Sequence, residues 1–166
     1  NESFIVSKIR GNKDIMISGK KAKQLVDLKV KEFENKGIYN VLIFCTGHFE
    51  RIETKGIMAI PEKIIYGLLE GLRVSRVGII VPEKEQIDDS LVQYSVFNPI
   101  IRAASPYKDI ESIARAAKEF RNEDVELIVT DCMGFNEAMG KVVQKESNKK
   151  VIVPRVFIPR IINSMI

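Results

Sequence analysis

One short pattern occurs twice in this chain. Val41-Leu42-Ile43-Phe44-Cys45-Thr46-Gly47 and Leu127-Ile128-Val129-Thr130-Asp131-Cys132-Met133-Gly134 are β-rich apolar runs that end in Cys-x-Gly, and together they hold both cysteines of the 166 residues. An apolar run of this length between helical patterns reads as a buried strand of a parallel sheet. Ligands of open α/β sheets bind at the loops that leave the carboxyl ends of strands. Both thiols are therefore expected at the functional end of a sheet. The glycine two residues on leaves the backbone N–H groups open to close approach. A single free cysteine reads most simply as a small core hydrophobe; two in matching contexts point to a shared purpose.

Composition narrows the function class. The chain is 45% hydrophobic and carries 26 Lys+Arg against 22 Asp+Glu, a net charge of +4. Basic residues thicken at Lys20, Lys21, Lys23, Lys29 and Lys31, but Asp27, Glu32 and Glu34 share the same segment. Nucleic-acid binding would want a one-signed stripe interleaved with aromatics, so no nucleic-acid partner is expected. No apolar run approaches the ~20 residues that span a bilayer, and no signal-peptide pattern opens the chain, so no membrane partner is expected. Two cysteines far apart make neither a disulfide framework nor a zinc knuckle, and free thiols point to the cytoplasm. One histidine and distant cysteines cannot close a metal site, so no metal is expected. A homodimer is the default oligomer on base rates alone.

Strand and helix alternate along most of the chain, which implies an α/β fold with parallel pairing. Phe4–Ile9 and Asp14–Ser18 around Arg10-Gly11-Asn12-Lys13 read as a β-hairpin that precedes this rhythm. Lys20–Lys36 is an amphipathic helix closed by Gly37 in a left-handed conformation. After the first cysteine strand, His48–Ile57 reads as a long irregular loop of the kind that binds. Pro61 opens a helix, Glu62–Leu69, and Gly71 closes it. Arg76–Val81 is a strand that runs into an acidic helix start at Pro82–Gln86. Ile100–Ala104 is a short strand that leads to Ser105-Pro106-Tyr107. Asp109–Phe120 is a helix, and the second cysteine strand follows. Asn136–Lys145 reads as a helix, Val151–Val153 as a strand and Ile158–Met165 as a closing helix behind Pro159.

A thiolate is a good base and nucleophile, and its pKa falls near helix N-termini and cations. Two thiols at related strand ends could face one another across a cleft. One would take a proton from a carbon acid while the other returns one to the opposite face, an inversion that needs no cofactor. Backbone N–H groups of Thr46-Gly47 and Met133-Gly134 could hold the anionic intermediate, with the Thr46 hydroxyl as a further donor. His48 could pair with Cys45 as a nucleophilic dyad, or be an exposed loop imidazole. Asp131 could cap the helix that follows; beside Cys132 its charge would favour the protonated thiol. Glu85 and Gln86 fit either dipole pairing or ligand contact. Ser105 and Tyr107 form a turn at a strand end, where the phenol could reach a ligand. Arg155, after the last strand, is the preferred cation for a carboxylate because of its fork of donors, with Arg102 and Arg160 behind it.

Four motifs in order, Cys45-Thr46-Gly47-His48-Phe49, Pro82-x-x-Glu85-Gln86, Ser105-Pro106-Tyr107 and Asp131-Cys132-Met133-Gly134-Phe135, resemble the AroM protein family. The resemblance runs from the hairpin to Val151-Ile152-Val153-Pro154-Arg155 and the last helix. AroM proteins are similar to the aspartate/glutamate/hydantoin racemase superfamily. The resemblance implies two pseudo-symmetric α/β lobes, each with one cysteine, and a small carboxylate-bearing molecule between them. It places the first lobe at 1–73, lacking an N-terminal strand and completed by 155–166, and the second at 74–154. The expected activity is a cofactor-independent isomerase or racemase with Cys45 and Cys132 as acid and base. The alternative is a small-acid binding or regulatory protein on the same scaffold.

Overall fold

The computed structural model describes residues 4–9, 13–49 and 51–165. The chain forms two compact units, 1–62 and 63–166, and the division falls inside a helix that begins at Pro61.

In the first unit, β1 (Phe4–Ile9) and β2 (Lys13–Ser18) pair antiparallel as a two-stranded sheet, with Phe4 opposite Ser18 and Ile9 opposite Lys13. The turn expected at Arg10, Gly11 and Asn12 lies outside the described residues. Ser18 caps α1 (Gly19–Asn35), its hydroxyl accepting from the Lys21 N–H at 3.3 Å; this satisfies one of the orphan donors of the first turn. At the other end Gly37 adopts φ +76°, the left-handed conformation that a glycine closes a helix with. Val30 is the buried residue of α1 and packs with Ile43, Phe49 and Ile52. The first cysteine run yields a short strand, β3 (Val41–Leu42), parallel to β4 (Met58–Ala59). The expectation of loop through Ile57 stops where β4 begins. Two residues leave no period to read in a sequence, and β4 is held by its ladder with β3, which continues as Val41 N–H to Ile57 O and Ile43 N–H to Ala59 O.

The second unit opens with α2 (Pro61–Gly71), most of whose length it holds, and is built on four parallel strands in the order β6-β5-β7-β8. These are β5 (Val77–Val81), β6 (Ile100–Ala103), β7 (Leu127–Thr130) and β8 (Lys150–Ile152). All of β5 and β7 is buried, as central strands covered on both faces must be. Ile80 and Ile128 share one face with Ile113, Ala117 and Phe120 of the α4 region (α4 is Ile110–Glu119) and Val143 of α5 (Glu137–Ser147). By the pleat alternation Val77, Ile79 and Val81 point to the other face. Gly78 sits where a β-carbon would lie 2.9 Å from Ile128 Cγ1 and 3.0 Å from the Phe120 ring, so the helix lies tight on the sheet. Asp109 and Asn136 cap α4 and α5 through Ser112 and Met139 N–H groups.

Between β5 and β6 the chain makes a tight 3-10 turn at Lys84–Gln86, then α3 (Ile87–Gln93). The closing helix α6 spans Pro154–Asn163 and contains Pro159, so it starts four residues earlier than expected. Pro154 occupies the first turn, where a missing N–H costs nothing, and Pro159 removes one interior bond without ending the helix. Among the described residues no helix is long and apolar enough to cross a membrane.

Candidate functional site

The four strands of the second unit are parallel, so the loops leaving their carboxyl ends lie at one end of the sheet. These loops start at Pro82, Ala104, Asp131 and Val153, and they carry most of the residues singled out from the sequence.

Cys132 stands at the head of the β7 loop, buried and packed with the core cluster of Ala104, Ile113 and Phe135. Its Sγ accepts the Gly134 N–H at 3.3 Å, and the Tyr107 Oη lies 3.8 Å away. Burial pushes the Cys132 thiol above its ordinary pKa, and the neighbouring Asp131 charge pushes the same way; the bonds from Gly134 and Tyr107 oppose them without prevailing. A low-dielectric setting penalises the thiolate, so the environment of Cys132 favours the neutral thiol. The Asp131 backbone N–H donates to Ile80 O at 2.8 Å, which ties the loop to β5. Asp131 does not cap the following helix. That role belongs to Asn136, whose side chain accepts from Met139 N–H at 3.0 Å.

Tyr107 is positioned by the β6 loop. The Ser105 hydroxyl accepts the Tyr107 N–H at 3.4 Å, a side-chain-mimicked turn that commits this buried residue to the backbone. Gly134 completes the arrangement: a β-carbon there would lie 2.7 Å from both Pro106 Cγ and Tyr107 Oη. Only a residue without a side chain lets the β7 loop lie against Tyr107. Met133 is buried beside it.

On the β5 loop Gln86 accepts the Glu83 N–H through its amide oxygen at 3.2 Å, one half of a capping box. Glu85 is on the exposed side of that turn. Glu83 forms an ion pair with Lys108, at 2.9 and 3.0 Å from its two oxygens, and so links the β5 and β6 loops. Sequence reasoning reads Glu83 only as part of the acidic helix start at Pro82–Gln86 and passes over Lys108. Arg155 is exposed in the first turn of α6, beyond the end of β8. Arg102 is committed elsewhere: its guanidinium pairs with Glu119 and Glu123 and lies 5.5 Å from the centre of the Phe120 ring.

In the first unit Cys45 repeats the local geometry of Cys132. Its Sγ accepts the N–H of Gly47 at 3.4 Å, two residues on, as Cys132 does from Gly134. Cys45 is half-buried against the cluster of Val30, Ile43 and Phe49, and Thr46 beside it is buried. His48 is half exposed, and its Nδ1 lies 2.9 Å from Oε1 of the buried Glu62. The imidazole thus has a carboxylate to orient it. Glu62 comes from the first turn of α2, fourteen positions along the chain, where spacing alone gave no sign of it. The loop between β3 and β4 is pinned by Glu34, whose Oε1 accepts from Thr54 Oγ1 at 3.2 Å and from the Lys55 N–H at 2.7 Å. Among the described residues no group of three His, Cys, Asp or Glu side chains is placed to hold a metal ion.

The AroM protein family model matches residues 1–166. No curated protein matches the chain. Among solved structures, a glycine-to-cysteine, cysteine-to-serine variant of arylmalonate decarboxylase in the liganded form is similar with a TM-score of 0.63. It is 15% identical, over 89% of this chain and 77% of that one. A second structure of arylmalonate decarboxylase gives a TM-score of 0.55 at 18% identity, over 79% of this chain and 68% of that one. At such identities the likeness is one of fold.

Proposed function

We propose, from the premise that this chain belongs to the AroM protein family, a cofactor-independent proton-transfer enzyme that acts on a small carboxylate. Cys45 and Cys132 are its acid and base. The observation that carries the reading is the matched geometry of the two Cys-x-Gly loops, in which each sulfur accepts the N–H of the glycine two residues on, at 3.4 and 3.3 Å. Such a bond fixes the sulfur and favours its anion when a proton leaves. In the isomerase direction the Cys45 thiolate takes the proton from the α-carbon, and the electron pair spreads onto the carboxylate. The Cys132 S–H then delivers its proton to the carbon, leaving Cys132 as thiolate and Cys45 as thiol, poised for the reverse reaction. Tyr107, 3.8 Å from Cys132 Sγ, stabilises that thiolate or the ligand's oxygen. The ligand's carboxylate takes a cation from the strand-end loops, with Arg155 and Lys108 the two candidates.

A second reading takes its support from the neighbours' name, since two structures similar in fold are of arylmalonate decarboxylase. In a decarboxylation the carbon–carbon bond to the departing CO2 breaks and its electrons stay on the α-carbon. One proton from Cys132 then suffices, and the thiolate recovers its proton from water. Burial suits Cys132 to this donor role, because it keeps the thiol protonated.

The test is incubation with 2-substituted acids and 2-substituted malonates in D2O. Deuterium at the α-carbon of an unchanged acid, lost in both Cys45→Ala and Cys132→Ala, supports the isomerase. CO2 release from a malonate, lost in Cys132→Ala, supports the decarboxylase. Tight acid binding that survives both substitutions, with neither exchange nor CO2, would leave a binding module on this scaffold.

A further inference from the structure

The edge strand β8 borders a cavity that contains neither cysteine loop. It is an open cleft of about 450 Å³ lined by α5, β8, α6 and Leu68 of α2, within the range of small-molecule sites. Its walls are Val151 of β8, Val153 at the head of α6, and Val156 and Phe157 of α6. Gly140 of α5 lines it too: a β-carbon there would collide with Val153 Cγ2, so α5 lies directly against the residue that caps α6. Charge is confined to the rim. Lys141 is paired with Glu137 at 3.1 Å, and Lys141 first, with Arg160 adding to it, holds the Glu137 carboxyl below its ordinary pKa. Two cations against one carboxylate leave one positive charge over an apolar cleft.

We propose that this cavity is a second binding site, for a small organic monoanion with an aromatic or branched apolar body, whose carboxylate or sulfonate meets Arg160. The apolar walls favour the body through removal of its surface from water. The rim guanidinium gives the anion a forked pair of donors. A neutral ligand of the same shape would leave that fork unused, and a dianion would meet Glu137. The site is independent of the thiol chemistry, since neither cysteine nor its glycine lines it.

The experiment is a fluorescence titration of the full chain with 8-anilinonaphthalene-1-sulfonate, followed by displacement with 3-phenylpropionate and with its uncharged amide. One saturable site is expected, displaced by the acid and not by the amide. Arg160→Gln should weaken the probe about ten-fold or more, as loss of a charge-assisted bond implies, with Arg160→Lys intermediate. Val156→Trp, which fills the cleft, should abolish binding while the chain still melts cooperatively. Should that variant fail to fold, the Arg160 pair decides alone, because Arg160 is exposed on α6. Unchanged affinity in Arg160→Gln, or displacement by the amide as effective as by the acid, overturns the proposal. So does a dimer that Val156→Trp dissociates in a chain that binds no probe, since a second copy would then be the occupant.

Discussion

Replacement of Gly134 by alanine is the sharpest test of how the Cys132 loop is built. The added methyl would sit 2.7 Å from Pro106 Cγ, 2.7 Å from Tyr107 Oη and 2.8 Å from Tyr107 Cζ. Ordinary contact begins at 3.4 Å, so each neighbour must withdraw by about 0.7 Å. Tyr107 can swing, but only by leaving its place 3.8 Å from Cys132 Sγ. Pro106 can give only by a change of ring pucker, because its ring is closed onto the backbone. Overpacking of this kind costs about 1–3 kcal/mol, offset by about 0.4–1 kcal/mol from the stiffer unfolded chain. The net loss should be about 1–2 kcal/mol, a fall of roughly 2–8 °C in melting temperature for a chain of this size. Urea denaturation at neutral pH measures it, with Gly67→Ala as the control. Gly67 lies inside α2 with nothing within 4 Å of an added β-carbon, so alanine there should stabilise by about 0.5–1 kcal/mol. In a Tyr107→Phe background, where one of the close contacts is gone, the loss at Gly134 should shrink by about 0.5 kcal/mol or more. A Gly134→Ala chain within about 0.5 kcal/mol of the parent would refute the claim that this glycine is required by close approach.

Three further outcomes follow from the same structure. Asn136→Ala removes the side chain that accepts from Met139 N–H at 3.0 Å and should destabilise the chain by about 1 kcal/mol in the same denaturation assay. The Cys132 pKa is raised by burial first, so the folded chain holds this proton more tightly than the unfolded one. Stability from it is therefore full below the ordinary thiol pKa of about 8.5 and declines as pH rises beyond it; Cys132→Ala should flatten that alkaline decline in unfolding measurements from pH 7 to 10. Glu126 behaves oppositely, its pKa lowered by bonds from the Ser75 N–H, the Ser75 hydroxyl and the Arg76 N–H. Its contribution is present above the ordinary carboxylate range and lost as pH falls, so Glu126→Gln should reduce the difference in stability between pH 7 and pH 3.

Much of the architecture was legible because it is written locally. The buried runs of β5 and β7, the glycine at 37 and the alternation that implies parallel pairing each need only a few adjacent residues. What escaped was non-local. β4 is two residues long and exists through its ladder to β3. Glu62 reaches His48 from a helix, and Lys108 meets Glu83 from a different strand-end loop; no spacing in the sequence announces either pair. Asp131 looked like a cap because it precedes a helix, but Asn136 stands closer and has the free side chain. Arg102 looked like an anion receptor by residue type, and its position on a strand beside α4 gives it to Glu119 and Glu123 instead.

The duplicated Cys-x-Gly motif shows how far identical spelling carries. Both glycines donate to a sulfur at nearly the same distance, so the motif does encode one local shape, a turn that folds the N–H back over the thiol. The pressure that keeps each glycine is nonetheless different. At Gly134 a β-carbon meets a proline ring and a phenol at 2.7 Å, whereas at Gly47 the nearest atom is Ile5 Cγ1 at 3.3 Å, the movable part of an aliphatic side chain. Ala at position 47 should therefore be accommodated by a shift of Ile5 and leave stability within about 0.5 kcal/mol of the parent, while the same change at 134 displaces Tyr107 from its place beside the second thiol. Both loops share the bond to sulfur, and the second is shaped as well by the neighbouring loop that brings Tyr107 to Cys132.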